Sequence, residues 1–104
     1  MSSTTDGVTG TDPRPPVETV NLMGEYDLER SDELRRALLG ATTAEVVRGD
    51  MSGVTFVDSS AMGTLVAVQH YLQLEGRRLE LVNVGSAPRK VFEIAGLIEH
   101  FAIM

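Results

Sequence analysis

The sequence predicts an α/β domain in which helices pack on a central sheet of about four strands. Three observations carry that expectation. Strand-like and helix-like segments alternate from Val17 onward. Glycines at Gly76 and Gly96 close two of the helical segments. A length of 104 residues leaves room for one core, and the 42% hydrophobic and 23% charged content is that of a folded globular chain rather than a disordered one.

The elements follow in chain order. Residues 1–16, MSSTTDGVTGTDPRPP, contain one valine among Ser, Thr, Gly, Asp, Pro and Arg, so they bury too little apolar surface to offset ordering and are expected to form a disordered tail before a domain at 17–104. VETVNLMG reads as the first strand, ended by Gly24. In SDELRRALLGATT, Ser31 is expected to cap a helix whose Asp32 and Glu33 suit its positive end, with Leu34, Ala37, Leu38 and Ala41 at helical spacing and Gly40 weakening the last turn. AEVVRGDMSGVTFVD offers a strand interrupted by Arg48, Gly49 and Asp50, because a buried parallel strand is normally a continuous apolar run. After Asp58, the apolar positions Met62, Leu65, Val66 and Leu72 predict a helix of about four turns. RRLELVNV reads as a strand. Ser86, Ala87 and Pro88 start a further helix with Val91, Phe92, Ile94 and Ala95, and LIEHFAIM ends the chain.

Composition excludes several functions. A net charge of −6 provides no basic patch able to neutralise a run of phosphates, so nucleic acid is not expected as a partner, and with no apolar run of membrane-spanning length no membrane is expected either. Without cysteine there is no disulfide framework or thiolate metal site, and without a long apolar run or signal-peptide pattern the expected location is the cytoplasm. No phosphate-binding loop or dinucleotide fingerprint is present, two isolated histidines make no metal site, and no cofactor is expected.

The stretch that asks for a function is FVDSSAMGTL, where Asp58, Ser59 and Ser60 stand at the junction of an apolar run and a helix. A serine nucleophile needs a base about 3 Å away. His70 is ten residues past Ser60, about 15 Å along one helix. No G-x-S-x-G elbow surrounds either serine, so the chain is not expected to be an enzyme. Helix capping explains one polar group at this junction but does not require three in succession.

Taken together, VNLMGEYDL, DMSGVTFVDSSAMGTLV and LELVNVGSAPRKVFEIAGL resemble the STAS domains of anti-sigma factor antagonists, in the expected order. The resemblance implies a STAS-like single layer, a central mixed sheet with helices packed on it. It also implies a role in transcription regulation. In that family the second serine of Asp-Ser-Ser, here Ser60, is phosphorylated by an anti-sigma factor that is also a serine kinase. The unmodified protein binds the kinase and frees the sigma factor, and a PP2C-type phosphatase resets the cycle. Asp58 and Ser59 would support the phosphosite. Asp27 and Glu25, in an expected loop Gly24–Asp27, would contact the partner. The chain departs from the family in having Ala61-Met62-Gly63 after the serines, no clear strand before VETVNLMG, and no last helix after Met104. Two other readings stay open: a STAS scaffold resembling the small subunits of lipid-transport ABC systems, never phosphorylated, and an interaction module whose serines only cap a helix.

Overall fold

The computed structural model describes residues 16–40 and 43–103, so the expected tail lies outside the described residues except for Pro16. Strand β1 spans Val17–Tyr26, a 3-10 turn follows at Leu28–Arg30, and α1 spans Ser31–Leu39. Then come β2 (Val46–Val57), α2 (Ser59–Leu74), β3 (Arg78–Val82), α3 (Ser86–Ile94) and β4 (Ala102–Ile103). Strand order in the sheet is chain order, β1-β2-β3-β4, and every pairing is parallel. The expected mixed sheet is therefore corrected for the described residues. Three strands make the body of the sheet, and β4 adds two residues at its edge.

Each crossover between neighbouring parallel strands carries a helix, and one common hand of crossover puts all three helices on the same face. The core follows that geometry. Leu22 and Tyr26 of β1, Val47, Met51 and Val57 of β2, and Leu79 and Leu81 of β3 meet Leu34 and Leu38 of α1, Met62, Leu65 and Leu72 of α2, and Phe92 of α3 in one cluster. Phe92 and Phe101 close its end with rings edge to face at 5.6 Å.

The opposite sheet face carries no helix of the described chain, which resolves the Arg48-Gly49-Asp50 interruption. These residues do not break the strand; they lie in the middle of β2, paired with Thr19, Val20 and Asn21 on one side and Glu80, Leu81 and Val82 on the other. Alternation in β2 puts Gly49 into the core and Arg48 and Asp50 on the open face. There Arg48 Nη2 lies 2.9 Å from Glu80 Oε1, while Arg78 Nη2 lies 3.2 Å from Glu80 Oε2. Glu80 is only 4% exposed, so the two guanidinium groups supply the pairing that a buried carboxylate requires. Asp50 Oδ1 accepts from the Ser52 N–H at 2.9 Å and from Asn83 Nδ2 at 3.1 Å, bonds that hold its carboxyl below the usual aspartate range.

Two register shifts against β1 occur further along β2, between Asn21 and Met23 and between Gly24 and Glu25. At each, β2 carries one more residue than β1, the signature of a β-bulge. Gly24 does not end β1 as expected: it sits inside the strand at φ +85°, and β1 runs on to Tyr26. The start of α1 is also corrected. Ser31 is its first residue rather than its cap, and its hydroxyl donates to the Asp27 carbonyl at 2.9 Å. Helix α1 ends at Leu39, before Gly40. In α3, Ile94 is 80% exposed rather than part of the apolar stripe.

A Cβ added at Gly49 would lie 3.2 Å from Leu81 Cδ2 and 3.3 Å from Leu22 Cδ1. Gly49→Val places a branched side chain in that gap and is expected to destabilise the fold by about 1–3 kcal/mol through overpacking. The shift of the urea unfolding midpoint at constant slope measures it.

Candidate functional site

The parallel sheet brings its C-terminal strand ends and the N-termini of the helices to one edge of the molecule, the edge where α/β proteins place their sites. At that edge β2 ends in Val57, and Asp58, in extended conformation at φ −106°, starts α2. The Asp58 carboxylate accepts from the Ala61 N–H at 2.9 Å, which makes Asp58 the N-cap. Its own N–H donates to the Tyr26 carbonyl at 3.1 Å, tying the start of α2 to the end of β1. Of the three polar groups at this junction, the capping role falls to Asp58.

Ser59 and Ser60 are the first two residues of α2. Ser59 is exposed and Ser60 half-buried, and neither hydroxyl is hydrogen-bonded among the described residues. Ser60 contributes only its carbonyl, which accepts from the Thr64 hydroxyl at 3.1 Å. The helix beyond it divides cleanly. Met62, Leu65, Val68 and Leu72 are buried, and so is Gln69, whose amide donates to the His100 carbonyl at 2.7 Å. Gly63, Ala67, His70 and Tyr71 are exposed. A Cβ at Gly63 would meet nothing within 4 Å, so the first turns of α2 present a low, open surface beside Ser59.

Asp27 and Glu25 are placed differently from each other. Asp27 follows β1 directly, and its carboxylate accepts from the Arg30 N–H at 3.1 Å, so it caps the 3-10 turn. That turn packs against α2, which brings Asp27 to the same edge as Asp58. Glu25 lies within β1 rather than in a loop, opposite Phe56 in register. Its side chain follows the alternation away from buried Tyr26, so it is exposed on the open sheet face with Met23 and Phe56. The two carboxylates thus flank the sheet end from its two faces.

Sequence reasoning missed Arg30. Its Nη1 donates to the carbonyls of Met23 at 3.0 Å and Glu25 at 2.8 Å, and its Nε and Nη2 donate to Glu33 at 3.2 and 2.7 Å. The guanidinium lies 4.3 Å from the centroid of the Tyr26 ring. The bond from Arg30 holds the Glu33 carboxyl below the usual glutamate range. The RxxE spacing is an ordinary helical pair in the sequence, and nothing in it points back to Gly24.

Chemically, the edge offers a half-buried hydroxyl on a helix start that favours anions, with the carboxylates of Asp58 and Asp27 at the same edge and each engaged as a cap. His70 is exposed two to three turns down α2, and the His100 ring packs edge-on against Phe101 at 5.3 Å. Among the described residues no group of three His, Cys, Asp or Glu side chains is placed to hold a metal ion, and no helix is long and apolar enough to cross a membrane.

A one-sided parallel α/β layer with a capped serine pair at the strand ends defines the class of protein. The chain belongs to the STAS family: the family model described as Mlab, STAS domain matches residues 10–103. An anti-sigma F factor antagonist of Lysinibacillus sphaericus is 28% identical over 81 residues, spanning 75% of this chain and 69% of that protein. Among solved structures, the anti-sigma factor antagonist SpoIIAA in its unphosphorylated form superposes with a TM-score of 0.70 at 22% identity, over 90% of this chain and 83% of that one. A sulfate transporter family protein from Wolinella succinogenes does so with a TM-score of 0.73 at 23% identity, over 92% and 83%. These two structural likenesses concern the fold.

Replacing the cap separates the two acidic and hydroxyl roles. Asp58→Ala is expected to cost about 1 kcal/mol, and Ser60→Ala less than about 0.5 kcal/mol because its hydroxyl is unbonded. Thermal melts of the two variants against the unmodified chain measure the difference.

Proposed function

We propose that the chain is a non-catalytic anti-sigma factor antagonist that works by partner switching. Unmodified, it binds an anti-sigma factor that is also a serine kinase and so releases the sigma factor; phosphorylated on Ser60, it loses that partner until a PP2C-type phosphatase restores it. The observation that carries this reading is the Ser60 hydroxyl itself, free of hydrogen bonds on the second residue of α2, beside a cap already filled by Asp58. The hydroxyl makes no bond that the fold needs among the described residues, which supports its availability for modification. The relatives named as antagonists support the same reading.

The electrostatics favour a switch in binding over a switch in shape. A phosphate at Ser60 adds about −1.5 to −2 charges, and the N–H groups at a helix start tolerate an anion. The fold therefore accommodates the group. Among the described residues no Lys or Arg side chain is bonded to Asp58, Ser59 or Ser60, so none of them is already in place to pair with the new charge. It adds to the carboxylates already at this edge. A binding surface matched to the hydroxyl then meets a dianion, and disrupting buried polar pairings costs about 2–5 kcal/mol, a loss of roughly 30- to 4,000-fold in affinity.

The likeness to a sulfate transporter family protein favours a second reading, a STAS scaffold that docks on a transport system and is never phosphorylated. The lipid-transport ABC subunit is one form of it. Incubation with a histidine-kinase-like anti-sigma factor and ATP, followed by intact mass and site mapping, separates the two.

Affinity and melting temperature measured together test the mechanism. Ser60→Ala is expected to keep kinase affinity within a few-fold and to resist phosphorylation. Ser60→Asp is expected to fold with an unchanged melting transition yet bind more weakly, by no more than the phosphoprotein does. Phosphoprotein mapped at Ser60 that binds as tightly as unmodified protein would rule the switch out.

A further inference from the structure

We propose that Arg30 is the positioning residue of this site: by bracing the side of β1 turned away from β2, beside the 3-10 turn, it fixes Glu25, Tyr26 and Asp27 in the arrangement that the partner recognises. The functional half of this inference rests on the partner-switching reading.

Strand β1 is the outer strand of the sheet among the described residues, so every second peptide group faces away from β2 with no ladder partner. Near the site the groups facing β2 are those of even residues, as the bond from the Asp58 N–H to the Tyr26 carbonyl fixes. Met23 and Glu25 face outward. Arg30 Nη1 takes both of their carbonyls, and the Met23 N–H donates to the Tyr26 hydroxyl at 3.2 Å. Among the described residues the last stretch of this edge is thereby closed by two side chains.

One residue thus touches all three members of the site arm. It holds Glu25 by its carbonyl, Tyr26 by its ring and, through its backbone N–H, Asp27 by its carboxylate. Gly24 leaves space for it: φ is +85°, and an added Cβ would lie 3.0 Å from Arg30 Nη1. Glu33 fixes the other edge of the guanidinium in a two-oxygen pair. Lysine has a single nitrogen and no plane to lay on the Tyr26 ring, so it cannot make all these contacts at once. Ordering the arm before binding removes a cost that the complex would otherwise bear.

Arg30→Ala and Arg30→Lys in the full chain test the inference with three readouts: affinity for the kinase, thermal melting, and amide exchange with the Glu33 carboxyl titration followed by NMR. Both variants are expected to fold. The Met23 and Arg30 amides should exchange at least about tenfold faster and, in Arg30→Ala, the Glu33 titration should move up toward the ordinary glutamate range. Kinase affinity should fall by about tenfold as the arm loses its order, with lysine rescuing only part of it. If Arg30→Ala does not fold, Arg30→Lys carries the same comparison. Unchanged exchange and an unmoved Glu33 titration overturn the brace. Faster exchange with affinity within twofold of the unmodified chain overturns the positioning role while leaving the switch intact. An unmodified chain that binds no such kinase instead defeats the partner-switching reading, and the functional half of this inference with it.

Discussion

The shared hand of the crossovers between neighbouring parallel strands is the constraint on which the rest of the molecule depends. It sends α1, α2 and α3 to one face, so a single apolar cluster serves all of them and the other face of the sheet carries no helix among the described residues. It also starts every helix at the same edge. The positive ends of the helix dipoles, the strand-end carboxylates of Asp27 and Asp58 and the hydroxyl of Ser60 gather there without any one loop having been shaped to hold them.

The open face explains why the middle of the longest strand looks wrong as a sequence. Arg48 and Asp50 are acceptable in a parallel strand only because one face of that strand is not covered by a helix, and Gly49 between them lies on the covered side, where the Leu22 and Leu81 side chains would crowd a methyl group. Polar and apolar demands alternate residue by residue in Arg48-Gly49-Asp50. Its arginine is answered by Glu80, thirty-two residues away, on the neighbouring strand. A reading along the chain sees the charge but not its partner.

The legible parts of the fold were those set by local chemistry. Asp58 after an apolar run, the spacing of Met62, Leu65 and Leu72, and a positive-φ Gly76 fix α2 almost to its ends, and with it the place of Ser60. The alternation of elements was equally plain from Val17 to Val82. What could not be read depends on contacts across the chain. Gly24 has the composition of a strand terminator but serves as a seat for a side chain from the next turn. Ser31 reads as a cap, yet the 3-10 turn before it puts the side-chain cap four residues earlier, at Asp27, which caps that turn. Glu25 reads as a loop residue in the sequence because the bulges that let β1 and β2 stay paired as far as Tyr26 and Val57 leave no local mark.

The identity of strand order and chain order bears on how the molecule assembles. Among the described residues each strand after β1 docks beside the one just made, with its own helix as the connection, so none of these pairings has to wait for a remote part of the chain. Parallel sheets are slow to form when their neighbours are far apart in sequence. Here the nucleus can grow in one direction, from β1 and α1 toward β4, in step with a ribosome delivering the chain from its N-terminal end.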